Sequence, residues 1–256
     1  MGAWDLTGRR AIVTGATRGI GRAIAEELAA LGAAVFVCAR RGDDVAALVA
    51  QLRAGGEAHG IACDLSVEAD CERLVAAVTE AWPDGVDVLV NNVGTNLRKP
   101  SLDYALADLR ALMAVNLESA WTLSRRCHPL MVMRGGGSIV NVSSVSSQIT
   151  IQTSTAAYAM TKGAMDQMTR FFSVEWAPQG IRVNSVHPWY IRTPLAEQVL
   201  KDPVKRARIV GVTPLGRVGE PEEVARAVAF LAMDASSYIS GVHLTIDGAF
   251  SRLGVR

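Results

Sequence analysis

The sequence carries almost no charge bias: 26 Lys and Arg stand against 25 Asp and Glu, for a net charge of +1 and a pI near 7.7. So even a balance leaves no basic field for nucleic acid, and without a run of like charges there is no tail or patch for an anionic membrane. Long apolar runs are missing too. Apolar residues make up 50% of the chain, yet charged residues or glycines break every stretch well short of the roughly 20 residues that span a bilayer. The opening Met1-Gly2-Ala3-Trp4-Asp5 lacks the basic and apolar parts of a secretory signal, so the cytoplasm is the expected compartment. Cysteine is sparse: Cys38, Cys63, Cys71 and Cys127 show no metal-ligand spacing and read as reduced packing residues. His59, His128, His187 and His243 are equally scattered, and no metal is expected.

What is present is a regular alternation of short apolar strands and amphipathic helices. A chain of 256 residues buries a sizeable core, and α/β chains of this size form one domain; a single domain over 1–256 is expected. Strands are predicted at Arg10 to Thr14, Ala34 to Cys38, Ala58 to Ala62, Val86 to Val90, Ser138 to Val142, Ile181 to Val186 and Val242 to Ile246. Helices are expected from about Asp43, from Val67, over Leu102 to Met133, around Tyr158 and from Pro221. Strands separated by helices give a parallel, doubly wound, seven-stranded sheet with helices on both faces, its ligand crevice beyond the C-terminal strand edges. Gly15, Asp64, Asn91, Ser144 and His187-Pro188 all fall at such edges.

Two local patterns carry chemistry. The first strand runs into Gly15-Ala16-Thr17-Arg18-Gly19-Ile20-Gly21, and a helix follows at once. Glycines there let the backbone turn sharply and approach a pyrophosphate, while unpaired amides and the positive end of the helix face the phosphates. Tyr158 and Lys162 stand four residues apart on a predicted helix, so phenol and ammonium share one face. A cation beside a phenol stabilises the phenolate, which predicts a Tyr158 pKa moved down toward the working range.

Taken in order, Thr14 to Gly21, Asn91-Asn92-Val93-Gly94 and Tyr158 to Lys162 resemble the signatures of the short-chain dehydrogenases/reductases, and the likeness extends over nearly the whole chain. Arg18, Ala39-Arg40-Arg41 and Gly219-Glu220-Pro221 are most similar to the tropinone-reductase-like carbonyl reductases. The resemblance implies a Rossmann-like domain and hydride transfer between a nicotinamide cofactor and a carbonyl carbon, with Tyr158 as proton donor. It also implies Lys162 on the nicotinamide ribose, Ser144 on the carbonyl oxygen and Asn116 holding a water that links Lys162 to solvent. A homotetramer is implied as well, its interfaces built from the Asn116 and Tyr158 helices and from the last strand.

NADP is the expected cofactor. A carboxylate at the end of the second strand would hold a ribose diol and repel a 2′-phosphate, whereas this chain has Arg40 and Arg41 there and Arg18 in the glycine turn. Asp64 either caps its turn or meets the adenine together with Leu65; Asn91, Asn92 and Gly94 tie the central strands and admit the cofactor backbone. Pro188, Trp189, Ile191 and Thr193 are expected on the cofactor side of the stretch that follows the sixth strand.

Two departures from the family pattern matter. One extra residue separates Ser144 from Tyr158, which leaves Ser146 as the substitute catalytic serine. Pro188-Trp189 replaces the usual Pro-Gly, so Trp189 either walls the pocket or anchors the loop. A mobile substrate loop is expected at about residues 190–213. Ile149, Trp189, Tyr190 and Leu195, with Leu97 nearby, form an apolar lining without an evident pair of charges for a carboxylate or phosphate. NADPH-dependent reduction of a small apolar or cyclic ketone is therefore expected. The rival readings are a 3-oxoacyl thioester reductase, for which Arg98-Lys99 is the only local hint, and a non-catalytic NADP-binding sensor.

Overall fold

Seven strands alternate with helices in the computed structural model, which describes residues 2–151 and 155–253. The strands are β1 (Arg10–Thr14), β2 (Ala34–Ala39), β3 (Ala58–Ala62), β4 (Val88–Asn91), β5 (Gly137–Val142), β6 (Ile181–Pro188) and β7 (His243–Ile246). They pair in the order β3-β2-β1-β4-β5-β6-β7, every neighbour parallel. The chain moves outward in one direction as far as β3 and then in the other from β4, so the ends of β1 and β4 flank the switch point where such sheets bind ligands.

Period-two alternation sorts the side chains. Val13, Val35, Val90, Val140 and Val186 pack on one face with α1 (Gly19–Ala30), α2 (Gly42–Leu52) and α9 (Pro221–Ala232). Ile12, Phe36, Leu89, Ile139 and Val183 pack on the other with α3 (Glu68–Ala81), α5 (Ser119–Met133) and α6 (Ala156–Glu175). Both faces are covered, which is why the strands read as near-continuous apolar runs. All four cysteines are free and buried, and burial pushes Cys71 up to about 11 and Cys127 up to about 12, as packing thiols require.

The single helix expected over Leu102 to Met133 is two. Leu102 is fully exposed in a short 3-10 turn, Ser101–Asp103. Helix α4 (Leu106–Met113) opens where the Asp108 carboxylate accepts from Ala105 N at 2.9 Å. A π turn, Ala114–Glu118, then joins α4 to α5 and carries Asn116. A π turn adds one residue to the helical ladder, a change that apolar spacing does not register. The stretch after β6 is also more regular than a loop, holding α7 (Pro194–Leu200) and α8 (Pro203–Gly211). Each has proline at its first turn, with the Thr193 side chain accepting from Ala196 N and that of Asp202 from Val204 N. Strand β6 continues past the predicted Val186 to Pro188, which pairs with Ile246.

Candidate active site

The glycine turn is sewn to the end of β4. Thr14 Oγ1 donates to Val90 O at 3.2 Å and accepts from Asn92 N at 2.9 Å, while Asn92 Nδ2 donates to Thr14 O at 2.8 Å. Gly15 and Gly19 adopt φ of +62° and +55°, where a side chain is strained. A Cβ on Gly21 would lie 2.3 Å from both Asn92 Nδ2 and Gly15 O, so only glycine lets α1 begin so close to the strand. Arg18 precedes α1 without a side-chain cap, which leaves the first amides of a 12-residue helix unclaimed by side chains. Thr17 in the turn and Ile20 in the first turn of α1 are half-buried. This is a backbone cradle for phosphate oxygens, and a dinucleotide fits it. A Cβ on Gly19 would sit 3.2 Å from Thr193 Cγ2, so the start of α7 lies against the turn.

Around this cradle the predicted cofactor residues divide. Arg18 and Arg40 are exposed, and Ala39 ends β2 with no acid at that position. Arg41 is exposed but held by Asp44, Nε to Oδ2 at 3.3 Å. Asp64 caps its own turn, accepting from Ser66 N at 3.1 Å and Ser66 Oγ at 2.8 Å. Leu65 and Ile191 place their side chains in the core at 4% exposure each, which takes those side chains away from the crevice. Pro188 is buried at the end of its strand.

Tyr158, Lys162 and Asn116 converge beyond the ends of β4 and β5. Lys162, 3% exposed, donates from Nζ to Val142 O at 2.8 Å, and its Nζ lies 5.9 Å from the Tyr158 ring centroid. A Cβ on Gly94 would lie 3.5 Å from Lys162 Nζ and 3.6 Å from Asn116 Oδ1. Asn116 is wholly buried: its Nδ2 donates to Thr95 O at 2.9 Å and Thr161 Oγ1 at 3.1 Å, and its Oδ1 accepts from Thr95 N at 2.8 Å. Asn91 ties the middle of the sheet, donating to Asn141 Oδ1 at 2.9 Å.

Of the two candidate serines, Ser144 is the one whose side chain acts on the Tyr158 phenol, lowering its pKa. Its Oγ also accepts from Ser146 N at 3.2 Å, which opens the 3-10 turn Val145–Ser147.

The electrostatics correct one expectation. Burial is the largest influence on Tyr158 and raises its pKa, against smaller lowering effects from the Ser144 side chain and the Arg98 charge. The Lys162 ammonium points to the Val142 carbonyl, and burial lowers its own pKa to about 8 against the raising effect of Asp166. The phenol therefore holds its proton more tightly than a free one.

Other predicted lining residues are spread out. Ile149 and Leu195 are half-buried and Leu97 is 40% exposed. Trp189 anchors the segment: its Nε1 donates to Thr213 Oγ1 at 3.1 Å, and its indole stacks on Phe250 at 3.7 Å and meets Tyr190 edge-on at 4.8 Å. One charge of the Arg98-Lys99 step reaches this region. Arg98, on the segment after β4, acts electrostatically on Tyr158, donates from Nη1 to Gln198 Oε1 of α7 at 3.0 Å, and buries an Nε with no hydrogen-bond partner among the described residues. The histidines, scattered in sequence, are also not all separate in space: donor atoms of Asp166, His187 and His243 lie within 4.8 Å of one another.

Residues 15–251 match the sequence family described as Enoyl-(Acyl carrier protein) reductase. A tropinone reductase homolog of Arabidopsis thaliana is 46% identical over 249 residues, covering 97% of this chain and 94% of that protein. A putative NAD(P)-dependent gluconate 5-dehydrogenase from Beutenbergia cavernae, solved with bound NADP, superposes with a TM-score of 0.92 at 37% identity, covering 98% of this chain and 100% of that one. A gluconate 5-dehydrogenase from Burkholderia cenocepacia, in complex with NADP and tartrate, gives 0.91 at 33% identity and 98% of each chain.

Proposed function

This chain belongs to the short-chain dehydrogenase/reductase family and is an oxidoreductase acting on CH–OH/C=O groups with a nicotinamide cofactor, and on that premise we propose that it reduces a small apolar or cyclic ketone with NADPH. The observation that carries the reading is the convergence of Ser144, Tyr158 and Lys162 at the same sheet edge as the glycine cradle. The cofactor supplies the hydride. Ser144 orients the carbonyl oxygen, and the Tyr158 phenol, kept protonated by burial, gives that oxygen its proton. Lys162 holds ribose hydroxyls. Asn116 Oδ1, one of whose two lone pairs is used by Thr95 N, takes a water on the Lys162 side.

NADP is favoured over NAD because Ala39 leaves no carboxylate to meet the ribose, while Arg40 and Arg18 are exposed beside the cradle. Gly15, Thr17, Gly19, Ile20, Gly21, Asn92 and Gly94 offer the backbone around the phosphates and nicotinamide, and Thr193 closes against Gly19. Segment 190–213 holds the substrate determinants. Exposed apolar side chains on α5 and α6, Trp121 at 45% and Phe171 at 65%, support a homotetramer through those helices. No described helix is long and apolar enough to cross a membrane; the cytoplasm is the compartment we propose.

A second reading follows from Arg98. A buried guanidinium nitrogen without a partner among the described residues, acting on the Tyr158 phenol, suits a ketone that also carries a carboxylate. The test is NADPH consumption against neutral cyclic ketones, oxo acids, 3-oxoacyl thioesters and imines. Turnover of cyclic ketones supports the proposal, turnover of thioesters alone moves the assignment to the fatty-acid type, and cofactor binding without any turnover points to a sensor.

A further inference from the structure

Tyr158, Lys162 and Asp166 follow one another at four-residue steps along α6, so a carboxylate stands one turn beyond the lysine on the same face. Ser185 and His187 share the parity of Val183 on β6, whose side chain packs with α6, and His243 is paired with Ser185 across the β6–β7 ladder. Asp166 is 3% exposed and His187 wholly buried. His187 Nε2 lies 2.9 Å from Asp166 Oδ1 and 3.1 Å from Ser185 Oγ, and Ser185 Oγ lies 2.7 Å from His243 Nδ1. The two imidazoles stack with centroids 5.1 Å apart. The Ser185 hydroxyl occupies the space between the ring nitrogens, so the geometry is that of a hydrogen-bonded chain and not of a cation site.

We propose, resting on the reductase reading above, that Asp166 is a positioning residue for Lys162: a buried carboxylate, pinned by His187, whose charge balances the buried ammonium beneath Tyr158. A carboxylate in this setting needs donors, and it has them. Burial alone would raise the Asp166 pKa, but His187 and the Ser147 and Ser143 side chains outweigh it and hold the carboxyl below its ordinary value. His187 Nδ1 is buried without a partner among the described residues. The carboxylate fixes the ring hydrogen on Nε2, and an unpartnered lone pair at Nδ1 costs less than an unpartnered N–H. Asp166 thus keeps a negative charge for Lys162, whose pKa it raises against burial. The remaining charged neighbour on α6 is Arg170, which acts on His243; burial is the main cause that lowers the His243 pKa.

The experiment compares wild type with D166N, H187A and H187Q. Two quantities are read: the alkaline limb of kcat/KM for ketone reduction, and the Lys162 titration by lysine Nζ NMR in the ligand-free protein, assigned with K162M. Removing the carboxylate charge should move both to lower pH by about one unit. H187A, which leaves the carboxylate but frees it from its pin, should move them the same way by less, and H187Q, which restores a donor, should return toward wild type. If D166N fails to fold, the H187A and H187Q pair carries the same comparison. D166N leaving the lysine titration unchanged, or H187Q as impaired as H187A, overturns the inference. Absence of turnover in the wild type sinks the reductase reading instead, and the lysine titration still judges the pair.

Discussion

Lys162 donates to the carbonyl oxygen of Val142 at 2.8 Å, so the ammonium of the proposed catalytic pair is bonded to the end of a core strand and not to its tyrosine. Burial holds its pKa at about 8 against an ordinary 10.5. Between those values the unfolded chain binds more protons than the folded one, so this group makes stability rise with pH across that window, and below it the buried charge is a constant cost. A shift of that size corresponds to on the order of 3 kcal/mol.

Lys162→Met should therefore stabilise the fold while abolishing turnover. Loss of the Val142 bond offsets part of the gain, leaving a rise in Tm of about 2–4 °C at neutral pH. The gain should shrink as the pH rises toward the unfolded lysine pKa. Thermal melts of both proteins across that range check it; a fall in Tm at neutral pH would show that the ammonium stabilises the core.

The Ser144 side chain acts on the phenol and lowers its pKa, while the backbone N–H of Ser146 donates to Ser144 Oγ. Ser144→Ala should lower kcat by roughly 100- to 1000-fold, and Ser146→Ala should change it little. The pH dependence has a definite sign. Alcohol oxidation needs the phenolate, so its rate falls as pH drops through the phenol pKa; removing the Ser144 hydroxyl raises that pKa further and moves the limb to higher pH. Oxidation profiles of the two variants are the measurement.

Arg40 is exposed beside the end of β2, whereas Arg41 is occupied by Asp44 at 3.3 Å. An exposed pair of this kind is weak, yet it still draws Arg41 aside. Arg40→Asp should lower the ratio of kcat/KM with NADPH to that with NADH by roughly 10- to 100-fold, since it removes a charge-assisted bond and adds a repulsive carboxylate. Arg41→Ala should lower it less. Equal effects of the two would place the phosphate between them.

The parts of the site legible in sequence were those encoded locally. Glycines 15, 19 and 21 and the Tyr158–Lys162 step lie within single turns, and the strands at β1 and β3 fall where their apolar runs predict. The π turn at Asn116 was not visible, because one inserted residue leaves the apolar rhythm nearly intact. The α7 and α8 starts were written plainly in Thr193-Pro194 and Asp202-Pro203, a cap followed by proline, inside a stretch read as loop. Asp166, His187 and His243 lie on three elements brought together only by the β6–β7 pairing and the docking of α6, so no spacing rule could find them. The direction of the Tyr158 shift failed for a related reason: its sign depends on burial and on where the lysine points.

Arg98 turns the choice of substrate into a measurable contrast. Its guanidinium joins Gln198 on α7, buries an Nε with no partner among the described residues and acts on the Tyr158 phenol, so it links α7 to that phenol. If it receives a carboxylate, Arg98→Gln should raise KM for an oxo acid by roughly 10- to 100-fold, the worth of one charge-assisted bond, and leave KM for a neutral cyclic ketone within a small factor. If the substrate is neutral, the variant should act through Tyr158 instead. Losing a nearby positive charge raises the phenol pKa, which slows alcohol oxidation near neutral pH and spares ketone reduction. Measuring KM for both ketone classes and the oxidation pH profile in one variant separates the two roles, because the first changes binding of one substrate class and the second changes a titration common to all.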